Sequence, residues 1–272
     1  MDQADLRRCR SLLFLPASNP RAIEKARTLD ADMVVLDLED AVAEEDKAAA
    51  REAASMATHE GFGGRPVAIR MNPTGSAHYG EDVVAVRRST ADFVILAKAE
   101  SAKMVADAGW LVQKPVLAMI ETPRAVIDAA AIASAARGLI AGTNDLSASL
   151  GLPPGSGRGG LVFALQRILL SARAAGTPAF DGVYNGLDDT AGLAAECAEG
   201  RAWGFDGKSL IHPSQIETAN RAFTPSEAEI EAARRLVEAS SGGAQRHEGR
   251  MIEQLHVDQA RAIIAKANRL PA

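Results

Sequence analysis

Aromatic residues and cysteine are scarce in this chain of 272 residues. Phe, Tyr and Trp together make up 4% of it, and Cys9 and Cys197 are its two cysteines. Two cysteines so far apart, in no metal-ligand spacing, argue against a disulfide scaffold and against a cysteine metal site. They indicate a reducing compartment.

Long apolar runs and an excess of basic charge are missing as well. No segment reaches the roughly 18 to 20 apolar residues of a membrane span, and the opening MDQADLRRCR lacks the apolar stretch of a secretory signal. Lys plus Arg is 30 against 35 for Asp plus Glu, a net charge of -5. This balance argues against nucleic acid as a partner. We therefore expect a cytoplasmic protein that binds neither membranes nor nucleic acid.

The sequence does contain eight short apolar runs rich in Val, Ile and Leu. They begin at Ser11, Met33, Pro66, Phe93, Pro115, Gly138, Ala179 and Gly204. Their nearly continuous apolar character is typical of parallel strands covered on both faces. Helical segments alternate with them, as in NPRAIEKARTL, where Asn19 can cap the helix and Pro20 occupies its first position. Eight such units in about 220 residues predict an α/β fold, a (β/α)8 TIM-type barrel, rather than an open Rossmann-like sheet.

The end of the chain departs from this alternation. We place the barrel in residues 1–223 and a C-terminal helical extension in residues 224–272. From Thr224, TPSEAEIEAARRLVEAS predicts a capped amphipathic helix, SGGAQRHEGR a flexible connector, and DQARAIIAKANRL a second helix. The extension could pack on its own barrel, but we favour packing on a neighbouring subunit.

Polar residues gather where the predicted strands end, which is the face that carries the active site of such barrels. They are Asp37, Glu39, Asp40, Arg70, Asn72, Lys98, Glu100, Glu121, Asn144, Asp145, Asp181 and Lys208. Glu121 and Asp145 end consecutive strands, so they could share a proton or hold a hard cation such as Mg²⁺. Arg70 and Lys98 suit an anionic substrate, the arginine as a bidentate clamp and the lysine as a point charge.

Several longer stretches then resemble one known family. They are RSLLFLPASNPRAIEKARTLDADMVVLDLEDAV, AIRMNP, LAKAES, MIETPRAV, GTNDLSASLG, GFDGKSLIHPSQIETANRAFTPSEAEI and GRMIEQ, in the family's order over almost the whole chain. The sequence resembles the citrate lyase beta-subunit-like proteins, which belong with the malyl-CoA and citramalyl-CoA lyases of the HpcH/HpaI aldolase superfamily.

The resemblance implies a TIM-type barrel, usually a homotrimer, that uses Mg²⁺ to cleave or form a carbon–carbon bond in 3-hydroxyacyl-CoA thioesters. Glu121 and Asp145 match the metal ligands, and Arg70 matches the arginine that contacts the reacting acyl group. Glu39 and Asp40 match the acidic pair that holds metal-bound water. The expected reaction converts a citramalyl- or malyl-CoA type substrate to acetyl-CoA and a 2-keto acid.

One position departs from the family's pattern. The family usually offers an aspartate from a MID segment of the extension to a neighbouring subunit's site, and this chain has Glu253 there. Besides Arg70 and Lys98, we expect Asn144, Lys208 and His212 to contact the substrate, although the last two could equally be structural. Three alternatives stay open: malyl-CoA hydrolysis, a citryl-carrier-protein lyase subunit, and a non-catalytic CoA-binding barrel.

Overall fold

A closed barrel of eight parallel strands forms the body of the protein. The structure is a computed structural model that describes residues 6–247 and 249–267. The strands are β1 (Ser11–Pro16), β2 (Met33–Asp37), β3 (Val67–Met71), β4 (Phe93–Leu96), β5 (Val116–Ile120), β6 (Gly138–Ala141), β7 (Ala179–Asp181) and β8 (Gly207–Leu210). Each strand pairs with the next, and β8 pairs with β1 to close the barrel. The predicted TIM-type barrel is therefore confirmed.

Helices follow the strands and surround the barrel. They are α1 (Pro20–Ala26), α2 (Lys47–Glu60), α3 (Tyr79–Arg88), α4 (Ala102–Val112), α5 (Pro123–Ile127), α6 (Ala129–Ala135), α7 (Thr143–Ser149), α8 (Val162–Ala174), α9 (Thr190–Trp203) and α10 (Ile216–Phe223). As predicted, Asn19 caps α1 by accepting a hydrogen bond from the Ala22 amide, and Pro20 begins the helix. None of the helices in the described part of the chain is long and apolar enough to cross a membrane.

The buried apolar residues form two clusters, one on each side of the barrel wall. The inner cluster fills the barrel with side chains that include Phe14, Phe93 and Phe180. The outer cluster packs the strands against the helices and contains Leu210 of β8. Because successive strand residues point to opposite faces, only every second residue of a strand reaches the interior.

The extension contains two helices and a short hairpin. Helix α11 (Glu227–Ala239) begins with the predicted cap, in which Ser226 and Glu229 bond each other's backbone amides. A hairpin of β9 (Gln245–His247) and β10 (Arg250–Ile252) lies where the sequence predicted a flexible connector. It precedes α12 (Gln254–Ala267). The end of the predicted second helix, at 268–272, lies outside the described residues.

The last helix contacts the chain's own barrel. Lys266 donates hydrogen bonds from Nζ to the backbone oxygens of Arg7 and Asp206, which precede β1 and β8. The same ammonium lies 6.0 Å from the centre of the Phe223 ring. The end of α12 is therefore held at the amino-terminal side of the barrel. Contact of the extension with a neighbouring subunit remains a prediction.

Candidate active site

A cavity of about 310 Å³ opens at the carboxyl ends of the strands. Its walls combine apolar side chains with six of the polar residues that end the predicted strands. These are Asp37, Asp40, Arg70, Glu121, Asn144 and Asp145. The structure therefore brings together Arg70 and the two predicted metal ligands in one site.

Arg70 is held by two carboxylates from the preceding strand and its loop. Its Nε and Nη2 lie 2.7 and 2.5 Å from the two oxygens of Asp37, and Nη1 lies 2.9 Å from Glu39 Oε2. The guanidinium carbon also lies 5.4 Å from the centre of the Phe14 ring. From the sequence, Asp37 was predicted only to lie at the end of a strand. In the structure it fixes the orientation of Arg70.

Glu39 is a buried carboxylate between two cations. One oxygen, Oε1, lies 3.2 Å from Lys98 Nζ, and the other faces Arg70. Although Oε2 is near Arg70, it has no well-aligned hydrogen-bond donor among the described residues. Burial raises the pKa of Glu39 above its usual range, and the Arg70 charge opposes this rise. Oε2 is therefore an acceptor with capacity for a further partner.

Lys98 links three carboxylates of the site. Its amide donates to Glu121 Oε1 at 2.7 Å, and its ammonium lies 3.4 Å from Asp145 Oδ1 besides its contact with Glu39. The backbone φ of Lys98 is +48°, in the left-handed region. This conformation costs a residue other than glycine on the order of 1–3 kcal/mol, and such strain is concentrated at functional sites.

Glu121 is buried beside a glycine that leaves room for it. A Cβ on Gly142 would lie 2.3 Å from Glu121 Cβ and 2.5 Å from Oε2, so no larger residue fits there without displacing the carboxylate. Burial raises the pKa of Glu121 to about 7; the charges of Glu39 and Asp145 add to the rise. A cation that binds next to Glu121 would therefore stabilise the ionised form of this carboxylate.

The loops after β6 and β7 meet at the rim of the cavity. The side-chain amides of Asn144 and Asn185 bond each other in both directions, at 2.7 and 3.3 Å. Thr143 Oγ1 is buried and has no hydrogen-bond partner among the described residues. Neither Asn185 nor Thr143 was singled out from the sequence. Only the fold brings the two loops together, so no local pattern could have indicated the pair.

A buried network behind the site holds the loop that carries Glu39. Lys47 donates to the backbone oxygens of Leu38 and Glu39, both at 2.7 Å, and to Asn72 Oδ1 at 3.0 Å. Asn72 in turn donates to Asp82 Oδ2 at 2.7 Å. Asn72 thus supports the acidic loop from behind, and Lys47, which the sequence analysis missed, is its main anchor.

The prediction that Lys208 contacts the substrate is corrected by the structure. Lys208 is fully buried, and its ammonium lies 3.1 Å from Asp181 and 2.7 Å from Glu196 of α9. Gly200 of α9 lies against Asp181. Lys208 and Asp181 therefore sit between the barrel wall and the helices, because they occupy the outward-facing positions of their strands.

His212 and Glu253 are exposed, in different parts of the chain. The Nδ1 atom of His212 contacts the Ser214 hydroxyl at 2.8 Å and accepts from its amide, so the imidazole caps the short turn Pro213–Gln215. Glu253 precedes α12, and its amide donates to His256 Nδ1. The cap gives His212 a structural role, and its contact with substrate stays a prediction, as does the catalytic role of Glu253.

The donor set of the cavity suits a hard divalent cation. Among residues 6–247 and 249–267, no three His, Cys, Asp or Glu side chains converge as a complete ligand set. Mg²⁺ does not need one, because it usually binds one or two carboxylates and keeps waters or substrate oxygens as its other ligands. The buried, unsatisfied Oε2 of Glu39 offers an acceptor for such a water. Glu121 and Asp145 supply the one or two carboxylates that the ion needs.

Comparison with known proteins places the chain in one family. The family model described as HpcH/HpaI aldolase/citrate lyase matches residues 10–213. The chain belongs to this family, as the sequence resemblance implied.

Three relatives illustrate the range within the family. The chain is 42% identical to a (3S)-malyl-CoA thioesterase of Cereibacter sphaeroides, over 97% of this chain and 96% of the relative. It is 32% identical to the citrate lyase subunit beta of Escherichia coli, over 98% and 96% of the two chains. Protein CitE from Mycobacterium tuberculosis, solved in complex with magnesium, acetoacetate and coenzyme A, superposes with a TM-score of 0.82. That match has 36% identity and covers 96% of this chain and 99% of the other.

Proposed function

We propose that the protein is a magnesium-dependent carbon–carbon lyase acting on a short 3-hydroxy-dicarboxylyl thioester of coenzyme A, of the malyl or citramalyl type. The products would be acetyl-CoA and a 2-keto acid. The observation that carries this proposal is the convergence of Arg70, Glu121 and Asp145 on one cavity. The CitE relative, with magnesium, acetoacetate and coenzyme A together in one structure, supports the same ligand classes.

Glu121 and Asp145 would hold the Mg²⁺, with Glu39 and Asp40 accepting hydrogen bonds from its waters. When bound, the ion supplies Lewis-acid polarisation of substrate oxygens. The buried position of Glu121 and the missing side chain at Gly142 keep one ligand in a fixed place. A rigid ligand set of this kind needs little reorganisation when the substrate arrives.

Arg70 would stabilise the negative charge that develops on the thioester oxygen during cleavage. Asp37 occupies Nε and Nη2, so the guanidinium cannot rotate freely, and it forms part of the cavity wall. A preorganised donor of this type is usually worth about 100- to 1000-fold in rate. Asn144 of the cavity lining and Lys98, which contacts Asp145 of the same lining, would bind the anionic groups of the substrate.

Two carboxylates would handle the protons. Glu39 Oε2 is a buried acceptor next to Arg70, so it is suited to receive the hydroxyl proton of the substrate directly or through a water. Glu253 is exposed near the start of α12. In a homotrimer it would reach a neighbouring subunit's cavity and protonate the enolate of acetyl-CoA.

A second candidate is hydrolysis of the malyl-CoA thioester to malate and free CoA. The specific observation in its favour is the 42% identity to a (3S)-malyl-CoA thioesterase over nearly the full length of both chains. The same Arg70 would then stabilise the tetrahedral oxyanion formed when water attacks the thioester carbonyl. Malate would appear in place of a 2-keto acid.

The test is to incubate the protein with Mg²⁺ and malyl-, citramalyl- or citryl-CoA and to identify all products by mass spectrometry. Glu121→Ala is the informative variant. Glu100→Ala is its matched control, because Glu100 bonds Thr122 and lies outside the cavity lining. Acetyl-CoA with the matching keto acid, lost with EDTA and in Glu121→Ala, supports the lyase. Free CoA with malate supports hydrolysis, and no turnover of any substrate contradicts both.

A further inference from the structure

We propose that Lys98 is a counter-cation of the metal site, whose ammonium bridges the carboxylates and is displaced when a divalent cation binds. The inference rests on the proposed function, since it presumes that Glu121 and Asp145 bind Mg²⁺. It adds a role that the family assignment does not give, namely competition between a side chain and the metal.

The geometry places Lys98 at the centre of the acidic cluster. Its backbone amide bonds Glu121, and its ammonium lies 3.2 Å from Glu39 and 3.4 Å from Asp145. One residue therefore contacts the carboxylate that follows β5, one of the loop after β2 and one of α7. The left-handed backbone at this position would suit glycine better than lysine. The contacts of the lysine with these carboxylates therefore offset the strain of its left-handed backbone.

The ammonium of Lys98 is held more loosely than two other buried ammonium groups of this chain. Lys47 makes three hydrogen bonds of 2.7 to 3.0 Å, and Lys208 lies 2.7 and 3.1 Å from its carboxylates. Both are almost or fully buried, whereas the Lys98 side chain is 35% exposed. Tight charge-assisted bonds to carboxylates measure about 2.7–2.9 Å. Lys98 therefore has the weak contacts and the partial solvent exposure expected of a side chain that a cation can displace.

Electrostatics gives the ammonium a function between these carboxylates. Glu39, Glu121 and Asp145 all contact Lys98, and like charges this close repel each other. The ammonium, 3.2 Å from Glu39 and 3.4 Å from Asp145, offsets this repulsion and keeps the carboxylates together.

A divalent cation at Glu121 and Asp145 would repel this ammonium and take over its contacts. Lys98 would then be free to turn toward the opening of the cavity, where an anionic substrate enters. Because such competition is reciprocal, removing the ammonium must strengthen metal binding. A lysine that merely orients the ligands would have the opposite effect, and its removal would weaken metal binding.

The test is isothermal titration of the purified full-length protein with MgCl₂, with the metal-induced shift of the thermal midpoint as a second readout. Neither readout depends on catalysis. We expect Lys98→Met to bind Mg²⁺ about tenfold more tightly than the wild type and to show a larger shift. Lys98→Gly removes the ammonium and suits the left-handed backbone, so it repeats the test without strain. Lys103→Met, on the exposed face of α4, is the control and should match the wild type.

The outcomes separate this inference from the proposed function. If the wild type binds Mg²⁺ and both Lys98 variants bind it equally or more weakly, the counter-cation role is wrong and the metal site stands. If only the Lys98 variants bind Mg²⁺, the inference is supported in its strongest form. If no protein binds Mg²⁺, the metal-dependent function and the inference fail together.

Discussion

Arg70 and Asp37 are register partners on neighbouring strands, and their side chains form a two-point ion pair inside the mouth of the barrel. The pairing of β2 with β3 therefore sets the position of the guanidinium, rather than a loop. Strand registers are among the most rigid features of a parallel barrel. Arg70 consequently reaches the cavity in one orientation before any substrate is present.

Replacing Arg70 with lysine should separate charge from geometry. Arg70→Lys keeps the positive charge but cannot make a forked contact with Asp37 and still reach Glu39. We expect kcat to fall by about 100- to 1000-fold while the protein stays folded. Steady-state kinetics and circular dichroism measure the two effects. The exposed Arg124, paired with Asp128, provides the control substitution, and equal losses in Arg124→Lys would contradict the assignment.

Gly142 should not tolerate a methyl group. In Gly142→Ala the new Cβ would lie 2.3 Å from Glu121 Cβ, so the carboxylate must move. We expect Mg²⁺ affinity and kcat to fall roughly 10- to 100-fold, as when a metal ligand loses its support. Gly138→Ala, at the start of the strand that Gly142 follows, is the control, because its Cβ would come no closer than 3.1 Å to any neighbour and would not meet Glu121. Comparable Mg²⁺ affinity in the two variants would count against Glu121 as a ligand.

Lys208 should matter for stability and not for catalysis. Lys208→Met leaves the buried Asp181 with Arg158 as its charged partner, at 2.6 Å. Removing one member of a buried ion pair usually costs about 3–5 kcal/mol, and the remaining arginine favours the lower end. Urea unfolding measures this cost. The KM of folded enzyme should be unchanged, and a large rise in KM without loss of stability would restore Lys208 as a substrate contact.

The docked end of α12 predicts a pH dependence. Burial lowers the pKa of Lys266 to about 8, from an ordinary value of 10.5. Between these values the unfolded chain binds more protons than the folded one, so the free energy of unfolding should rise with pH. The full rise is up to about 3 kcal/mol. Urea unfolding from pH 8 to 10.5 should show it in the wild type, and the rise should be smaller in Lys266→Met. Identical slopes in the two proteins would show that Lys266 is not buried in this way.

The features that local sequence determines were predicted well. The eight apolar runs became the eight strands, because burial on both faces leaves a continuous apolar signature. The cap at Asn19 and the presence of a cap on the helix after Thr224 were also predicted, since a helix start depends on a few adjacent residues. The hairpin Gln245–His247 with Arg250–Ile252 was missed, because each strand is only three residues long.

The direction of side chains at the strand ends could not be read from the sequence. A continuous apolar run hides the alternation of faces, so Lys208 looked like a residue of the mouth although it points to the helices. The contacts of Lys98 depend on three separate elements and on a left-handed backbone. The ion pair of Arg70 with Asp37 depends on strand register. Such features appear only when the barrel closes.

The apolar filling of the barrel also affects how substrate enters the cavity and how product leaves it. Phe14, Phe93 and Phe180 belong to the cluster that occupies the interior below the cavity. A reactant that enters the cavity therefore cannot pass through the barrel. Substrate and product use the same opening. In the proposed cleavage, a fragment that forms deeper in the cavity would be released after the bulkier one, so the filled interior would impose an order on the release of products.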